Sequence, residues 1–212
     1  TRQLQLQLSA SLGFKMRKGD VTGAFLQSRE YPGILHCIPT PEICQAMGLP
    51  PESLTRVKRA CYGLVDAPLE WYRSVCSFFE RLGLKRCWSD PCCWIFCVEG
   101  NLKGIISAHV DDFLFSGKES CSEWQKVLEA VKKEYKWSDW EEDKFVQCGV
   151  LIEQHSDQSF SLSQEKYVED LKYINLRAHR KRDKHALTDE WEKNQLRADR
   201  KSTRLNSSHV SE

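Results

Sequence analysis

The apolar residues of this chain recur at helical spacing in two segments. In the first, Pro68 suits the opening turn of a helix and Gly83 suits its C-terminal cap. The apolar stripe between them consists of Leu69, Tyr72, Val75, Cys76, Phe79 and Leu82. In the second, residues 124–135 repeat apolar positions through a charged segment, which predicts an amphipathic helix packed on a sheet. A weaker pattern between Leu4 and Gly13 predicts a third helix.

Runs of β-branched, aromatic and other apolar residues predict strands between these helices. The clearest two form a hairpin, residues 92–98 and 102–110, joined by a turn. Two more helices are predicted, one at residues 41–47 and one from an N-cap at Ser163 to about Leu176. The irregular alternation of strands and helices predicts the α+β fold class. The remaining strands are predicted at residues 19–26, 34–38, 57–61, 145–152 and 159–162.

Two adjacent carboxylates, Asp111 and Asp112, lie between the strand 102–110 and a short run of strand-forming residues that ends at Gly117. The pair therefore lies at a predicted hairpin turn. Because side chains splay at a tight turn, at least one of the two carboxylates can point out of the sheet toward a bound cation. Taken alone, the pair is better explained as a plain turn, since Asp favours turns through hydrogen bonds to its own backbone.

The composition limits the class of protein. A chain of 212 residues with a hydrophobic fraction of 41% can bury a core in one domain or one and a half. It contains no stretch of about 18 apolar residues, which excludes a transmembrane helix. The start at Thr1 has neither an initiator Met nor a signal-peptide pattern, so we expect an excised piece of a longer protein that is not secreted.

The ten cysteines lie mostly inside apolar runs such as residues 92–97. This distribution favours reduced, buried thiols of an intracellular protein over a disulfide framework. A zinc site is not predicted, because the chain has no Cys-x-x-Cys pair and its cysteines between residues 87 and 97 lack the usual ligand spacing.

Charges are distributed unevenly, although the formal net charge of the chain is only +1. Residues 1–171 contain 20 Lys and Arg against 24 Asp and Glu, a net charge of −4. Residues 172–204 contain 11 against 5, a net charge of +6. Nucleic-acid enzymes usually carry a basic surface, so the acidic first part argues against strong autonomous binding to nucleic acid.

Three blocks in fixed order resemble the reverse transcriptase domain of copia-type retrotransposon polyproteins. Residues 20–26, Asp-Val-Thr-Gly-Ala-Phe-Leu, are similar to the first catalytic block of that family. Residues 61–72, Cys-Tyr-Gly-Leu-Val-Asp-Ala-Pro-Leu-Glu-Trp-Tyr, resemble its Tyr-Gly-Leu, Ala-Pro, Trp-Tyr block. Residues 109–112, His-Val-Asp-Asp, resemble the polymerase Tyr-x-Asp-Asp box. Lesser matches extend the resemblance over about residues 1–176, and several blocks in register argue against chance agreement.

The resemblance implies an RNA-directed DNA polymerase with a palm-like antiparallel sheet, helices packed on one face, and the fingers missing. In such a site Asp20 and Asp111 bridge two Mg²⁺ ions, or Mn²⁺ in their place, and Asp112 supports them. Metal ions in this arrangement stabilise the charge that develops on the transferred phosphoryl group. On its own, Asp20 would be better explained as a capping or turn residue.

Four further positions match family residues that contact the nucleotide or the template. Phe25 corresponds to an aromatic wall that excludes a ribose 2′-hydroxyl, and an ordinary core Phe is the alternative. Tyr62, Gly63 and Pro68 belong to the loop that lines the templating base pair and the nucleotide. Gly63 also suits a turn and Pro68 a helix start, and both kinds of role can hold at once. Residues 145–152 and the following strand correspond to the hairpin that positions the primer end.

His109 departs from the family pattern, because most relatives have Tyr at this position. The contact that a phenol makes to the primer or template edge is therefore in question. The carboxylates beside it are kept, so the resemblance still implies metal chemistry.

The implied partners are an RNA/DNA primer-template and deoxynucleoside triphosphates, with no membrane contact. Fingers, RNase H and integrase are implied in the intact polyprotein, and a cytoplasmic particle or the nucleus is the implied location. Residues 177–198 resemble the start of the connection to the RNase H region. Residues 199–212 resemble the translation of a common sequencing-library adapter, so we expect a disordered tail that is an assembly artefact.

Two alternatives from other classes stay open. A degenerate, domesticated or misassembled palm remnant would bind a ligand such as a metal ion, or nothing, and would catalyse no reaction. A soluble α+β scaffold would use the Asp pair only as a turn, and it predicts that Asp20 lies far from Asp111 in the fold.

Overall fold

The fold is built on a large antiparallel sheet whose spatial order differs from the chain order. The structure is a computed structural model that describes residues 1–171 and 187–194. The strands of this sheet are β1 (Lys15–Val21), β4 (Lys85–Arg86), β5 (Cys93–Val98), β6 (Asn101–His109), β7 (Asp112–Gly117) and β8 (Trp137–Glu142). They lie in the order β4-β5-β6-β7-β1-β8, so β1 is inserted between the β6–β7 hairpin and β8.

Helices and two small sheets complete the described part of the chain. The α-helices of residues 1–171 are α1 (Arg2–Leu12), α2 (Pro41–Met47), α3 (Ala67–Arg81), α4 (Ser122–Glu134) and α5 (Glu165–Glu169). The small sheets pair β2 (His36–Cys37) with β3 (Thr55–Arg56), and β9 (Lys144–Gln147) with β10 (Val150–Gln154) and β11 (Phe160–Ser163). Residues up to Ser163 form one compact unit, and α5 belongs to the next. The predicted α+β class is confirmed, and none of the described helices is long and apolar enough to cross a membrane.

The two long helices, α3 and α4, pack on one face of the large sheet. Because side chains alternate along a strand, Phe113 of β7 points to this face and shares a buried cluster with Phe79 of α3 and Trp124 of α4. Trp124 approaches the sheet closely because Gly104 and Gly117 pair with each other beneath its indole. A Cβ atom would lie 2.3 Å from the indole at Gly104 and 2.2 Å from it at Gly117.

The opposite face of the sheet is covered by α1 and by the β9–β10 hairpin. Leu6 of α1 packs there with Leu114 of β7 and Ile152 of β10 in a second buried cluster. The Gln5 side chain is 1% exposed and donates from its amide nitrogen to Ser116 Oγ at 3.1 Å. The two long helices therefore share one face as implied, while α1 lies on the other.

The predicted helices form, with adjusted ends. α1 stops at Gly13, which adopts a left-handed φ of 62°, and α2 has the predicted bounds. In the α3 stripe Leu69 is 46% exposed, and Trp71 is buried instead. Ser163 is the last residue of β11 and not an N-cap, since Gln164 takes that position. α5 ends at Glu169, with Asp170 as its C-cap, so the predicted continuation beyond Glu169 was wrong within the described residues; the predicted end at Leu176, residues 199–212 and most of 177–198 lie outside them.

Several strand predictions were wrong at their boundaries. Gly23 adopts φ 59°, so β1 ends at Val21 and residues 24–27 form a 3₁₀ turn in place of the end of the predicted strand 19–26. Gly149, at φ 72°, divides residues 145–152 into the antiparallel strands β9 and β10. Residues 57–61 form no strand, because the pairing with β2 is made by β3 just before them. β8 was not predicted, since three of its six residues are carboxylates.

Candidate active site

The Asp pair lies at the turn between β6 and β7. β6 ends at His109, Val110 and Asp111 form the turn, and Asp112 begins β7. Val110 adopts a left-handed φ of 59°. The predicted hairpin turn is therefore confirmed.

Asp20 lies beside this turn, although it is far from the Asp pair in the sequence. It is the direct partner of Asp112 in the register of β1 and β7. The next residue, Val21, donates its backbone N–H to the carbonyl oxygen of Asp111 at 2.9 Å. The expectation of the scaffold alternative, that Asp20 lies far from Asp111, is wrong.

A row of polar residues crosses four neighbouring strands at this edge. His109 pairs with Asp112, Asp112 pairs with Asp20, and Asp20 pairs with Asp139 of β8. Directly paired residues of antiparallel strands project to the same face of a sheet. Since Phe113 points toward α3 and α4, the row lies on the opposite face.

Burial and like charge disfavour ionisation of the Asp pair. Desolvation is the largest cause that raises the pKa of Asp112, to about 7, and the charges of Asp20 and Asp111 add to the rise. Desolvation likewise raises the pKa of Asp111, with a further contribution from Asp20. Asp112 Oδ1 is buried and accepts no hydrogen bond. A cation at this edge would reduce the repulsion among the carboxylates and would give Asp112 Oδ1 a partner.

Lys18 is the cation that the fold itself places near the pair. It precedes Asp20 by two residues on β1, so the two side chains share a face. Its side chain is 13% exposed and its Nζ lies 3.5 Å from Glu141 Oε1. The positive charge of Lys18 opposes the rise in the pKa of Asp111 and of Asp112. Lys18 therefore neutralises only part of the negative charge of the carboxylates at this edge.

Ser138 of β8 orients Asp20. Its hydroxyl donates to Asp20 Oδ1 at 2.6 Å and lies 3.1 Å from the carbonyl oxygen of the same residue. This contact fixes one carboxylate oxygen and leaves the other to bind a ligand. Nothing in the sequence indicated Ser138, because β8 was not predicted, whereas strand alternation could have indicated Lys18.

The carboxylates fit a divalent cation whose coordination shell is completed by the substrate. Within residues 1–171 and 187–194, no three His, Cys, Asp or Glu side chains form a group that could hold a metal ion by themselves. The unpartnered Asp112 Oδ1 and the acidic row nevertheless offer hard oxygen donors. Mg²⁺ is commonly held by one or two carboxylates together with waters and substrate phosphates, so a complete cage of protein ligands is not required.

Phe25 and Tyr62 lie against each other in a second group. Phe25 is on the 3₁₀ turn Ala24–Gln27 and packs partly buried on the core of α3 and α4. Its ring centroid is 5.0 Å from that of Tyr62, and the Tyr62 side chain is 53% exposed. Phe25 thus has a core contact and an aromatic partner near the surface, and its position fits either of the two alternative roles.

Gly63 and Pro68 have the local roles that their residue types suggest. Gly63 adopts φ 95°, which a residue with a Cβ atom rarely does. Pro68 is in the first turn of α3, after the N-cap Asp66. These backbone roles hold whether or not the loop contacts a nucleotide.

His109 lines a cavity of about 350 Å³ next to the acidic row. The other lining residues are Thr1, Arg2, Gln3, Asp90, Ser107, Ala108, Gln147 and Cys148. Gln147 is buried with an unpartnered Oε1, while Arg2 donates to the Gln147 carbonyl oxygen at 3.1 Å. His109 is thus accessible beside the Asp pair, at the end of the β9–β10 hairpin that carries Gln147.

Comparison with known proteins matches most of the chain to one family. The family described as reverse transcriptase (RNA-dependent DNA polymerase) matches residues 2–179. The retrovirus-related Pol polyprotein from transposon TNT 1-94 of Nicotiana tabacum is 27% identical over 164 residues, which are 77% of this chain and 12% of that protein. The chain therefore spans about an eighth of the length of this curated relative.

One solved structure is similar over most of the chain at low sequence identity. An apo telomerase from Candida tropicalis, truncated from the C-terminal domain, has a TM-score of 0.44 and 12% sequence identity. The alignment covers 76% of this chain and 38% of that one.

Proposed function

Since this chain belongs to the reverse transcriptase (RNA-dependent DNA polymerase) family, we propose that it is the palm of a copia-type retrotransposon polymerase. The palm would extend a DNA primer on an RNA template, with deoxynucleoside triphosphates as the second substrate. In this proposal residues 1–176 are the palm-like domain, residues 177–198 begin the connection, and residues 199–212 are not native sequence.

The observation that carries the proposal is the adjacency of the two Asp blocks. Asp20 and Asp112 are register partners, and Asp111 is tied to Val21 by a backbone hydrogen bond. If these residues served only as turn or capping residues, Asp20 would not need to lie near the Asp pair. Burial raises the pKa of both turn carboxylates, and the like charges gathered at this edge add to the rise, a cost that a cation-binding function explains.

Asp20 and Asp111 would hold two Mg²⁺ ions, or Mn²⁺ in their place, with Asp112 in support. When bound, such ions stabilise the attacking and leaving oxygens of an in-line phosphoryl transfer. Ser138 orients Asp20, and Lys18 limits the repulsion among the carboxylates before a cation arrives. Asp112, with a pKa of about 7, is half-protonated near neutrality, so a cation would displace a proton from it.

Phe25, Tyr62, Gly63, Pro68 and His109 would contact the nucleic acid and the nucleotide. A ribose 2′-hydroxyl facing the Phe25 ring would lose its hydrogen bonds, which disfavours ribonucleotides. The exposed ring of Tyr62 and the turn at Gly63 would line the nucleotide. His109 would contact the primer end from the cavity beside the β9–β10 hairpin.

Other parts of a polyprotein complete the proposal. Residues 1–171 carry a net charge of −4, so a basic fingers region would have to supply contacts to phosphates. RNase H and integrase are proposed as further domains, and a cytoplasmic particle or the nucleus as the location.

Primer extension tests the proposal directly. An oligo-dT primer on a poly-A template would be offered, with Mg²⁺ or Mn²⁺, to this chain and to a fingers-restored chain that adds the upstream residues of the polyprotein. We expect extension by the fingers-restored chain and none when it carries Asp111→Asn. Asp157→Asn, an exposed carboxylate in the β10–β11 turn, is the matched control and should extend normally.

The second candidate is a palm that binds cations but does not polymerise. The net charge of −4 on residues 1–171 favours it, because an acidic surface disfavours the binding of a primer-template. Mn²⁺ binding that Asp111→Asn abolishes, without extension by the folded fingers-restored chain, would support this candidate over the polymerase. His109→Tyr would then be the first reversion to assay.

A further inference from the structure

A buried side chain of α3 is hydrogen-bonded to the turn that carries the Asp pair. Trp71 is 3% exposed, and its indole N–H donates to the carbonyl oxygen of Val110 at 2.7 Å. Val110 is the residue immediately before Asp111 and has a φ of 59°. The Trp71 side chain therefore contacts the backbone of the turn and not the carboxylates themselves.

Val110 is a costly residue for this backbone conformation. Branching at Cβ makes the left-handed region strongly unfavourable, and such a residue persists there only when its surroundings hold it. Val110 is 46% exposed, so packing of its side chain supplies only part of the restraint. The hydrogen bond from Trp71 acts directly on the strained residue.

A second backbone bond acts on the next peptide group. Val21 donates to the carbonyl oxygen of Asp111 at 2.9 Å. Two successive carbonyl groups, those of Val110 and Asp111, are thus held by donors from α3 and β1. Fixing both carbonyls fixes the backbone of Asp111 between them, and with it the direction in which its Cβ points.

The Trp71 ring is itself locked by aromatic neighbours. Its centroid lies 5.1 Å from that of Tyr135 and 6.4 Å from that of Phe113, both in edge-to-face geometry. Tyr135 follows α4 and Phe113 follows the Asp pair on β7. The direction of the indole N–H is therefore set by the core beneath the sheet.

We propose that Trp71 is a positioning residue: its indole N–H holds Val110 in the left-handed conformation and so aims the Asp111 carboxylate. The effect on polymerisation rests on the proposed function, whereas the effect on the turn does not. Trp71 acts only through Val110 and leaves the substrates untouched.

Trp71→Phe tests the proposal, because it keeps an aromatic ring in the core and removes the donor. The readout that needs no activity is hydrogen exchange at the Val21 amide of this full chain, since that amide bonds to Asp111. We expect the exchange rate of this amide to rise roughly fivefold or more, because losing the stabilisation of one hydrogen bond changes an opening equilibrium by about that factor. The Ile152 amide in β10 should be unchanged. In the fingers-restored chain, kcat should fall by a similar factor while KM for the nucleotide changes little.

Rescue at Val110 separates positioning from simple packing. Gly and Asn both adopt positive φ readily, so Val110→Gly or Val110→Asn in the Trp71→Phe background should restore slow exchange at Val21. A role of Trp71 in core packing alone predicts no rescue by either substitution. Unchanged exchange in Trp71→Phe, or failure of both double variants to restore it, would overturn the proposal.

The two readouts keep this inference apart from the proposed function. Faster exchange and its rescue, in a chain whose fingers-restored form extends no primer, would sustain the positioning role and defeat the polymerase. If the fingers-restored parent extends a primer, but Trp71→Phe changes neither the exchange of the Val21 amide nor kcat, the positioning role is wrong and the polymerase function stands.

Discussion

Asp20 and Asp112 stand directly opposite each other on β1 and β7, with no residue between them. Asp112 is half-buried, and one of its oxygens accepts no hydrogen bond. Like charges placed opposite each other on neighbouring strands destabilise a sheet. The pair therefore makes the free chain sensitive to protonation and to cations at one defined point.

The first prediction concerns pH. The pKa of Asp112 is raised from 3.8 to about 7 in the folded chain, chiefly by desolvation. The folded state therefore holds this proton more tightly than the unfolded state does. The stabilisation is complete below about pH 4 and is lost as the pH rises to about 7. Without divalent cations, we expect it to amount to roughly 4 kcal/mol at most, since one pKa unit corresponds to about 1.4 kcal/mol.

Urea unfolding between pH 4.5 and 7.5, followed by tryptophan fluorescence, measures this contribution. Asp112→Asn should remove most of the loss of stability with rising pH. Asp157→Asn is the control. Hydrogen bonds from Ser159 lower the pKa of Asp157, so Asp157 affects the stability only at pH values below about 4, outside the range measured. Equal slopes for the parent and Asp112→Asn would show that Asp112 ionises normally.

How far the sequence predicts the fold depends on the periodicity of each segment. The α3 and α4 helices and the β5–β6 hairpin have strong patterns, and the structure confirms them. β8 has no such pattern, because its Trp-Ser-Asp-Trp-Glu-Glu sequence becomes a strand only by pairing with β1. That pairing is a long-range contact, which outweighs local propensity.

The same distinction applies to the site. Resemblance selected Asp20 and Asp111, and pairing of β1 with β7 brings them together. Ser138 lies on the unpredicted β8, and the bond from Trp71 to Val110 spans 39 residues of sequence. Trp71 stands in the block that resembles the Trp-Tyr motif of the family, but its hydrogen bond follows from how α3 packs on the sheet and has no local sequence signal.

The second prediction concerns Ser138. Ser138→Ala removes the hydrogen bond to Asp20 Oδ1, which leaves that carboxylate less well oriented. We expect Mn²⁺ to bind roughly two- to tenfold more weakly, measured by electron paramagnetic resonance, because one such bond contributes about 0.5–1.5 kcal/mol. Ser159→Ala is a close control, since Ser159 makes a bond of the same 2.6 Å length to Asp157 away from the site. Equal weakening in both variants would count against a role for Ser138.

The third prediction concerns packing of α4 on the sheet. In Gly117→Ala the new Cβ would lie 2.2 Å from the Trp124 indole, so the ring or the strand must move. We expect a loss of about 1–3 kcal/mol in the free energy of unfolding, as for other overpacked cores. Gly33→Ala is the control: its new Cβ would lie 3.3 Å from Tyr31 Cε1 at an exposed position, so its effect on the free energy of unfolding should be clearly smaller. A stable Gly117→Ala variant would show that Trp124 can move away at little cost.

The fourth prediction concerns nucleotide choice and uses the fingers-restored chain. Phe25→Ala should reduce the preference for deoxynucleotides over ribonucleotides, because the apolar wall against the 2′-hydroxyl is removed. We expect the ratio of the two kcat/KM values to fall by roughly ten- to hundredfold, the range over which a pocket discriminates by shape. The measurement is single-nucleotide extension with each substrate in turn.

Phe96→Ala provides the matched control for Phe25→Ala. Phe96 is also partly buried and packs on the same core cluster as Phe25, but it lies on β5 and meets Trp124. It should lower both kcat/KM values together, through stability, and leave their ratio unchanged. If Phe25→Ala behaves in that way too, Phe25 is a core residue and the discrimination must come from elsewhere in the nucleotide pocket.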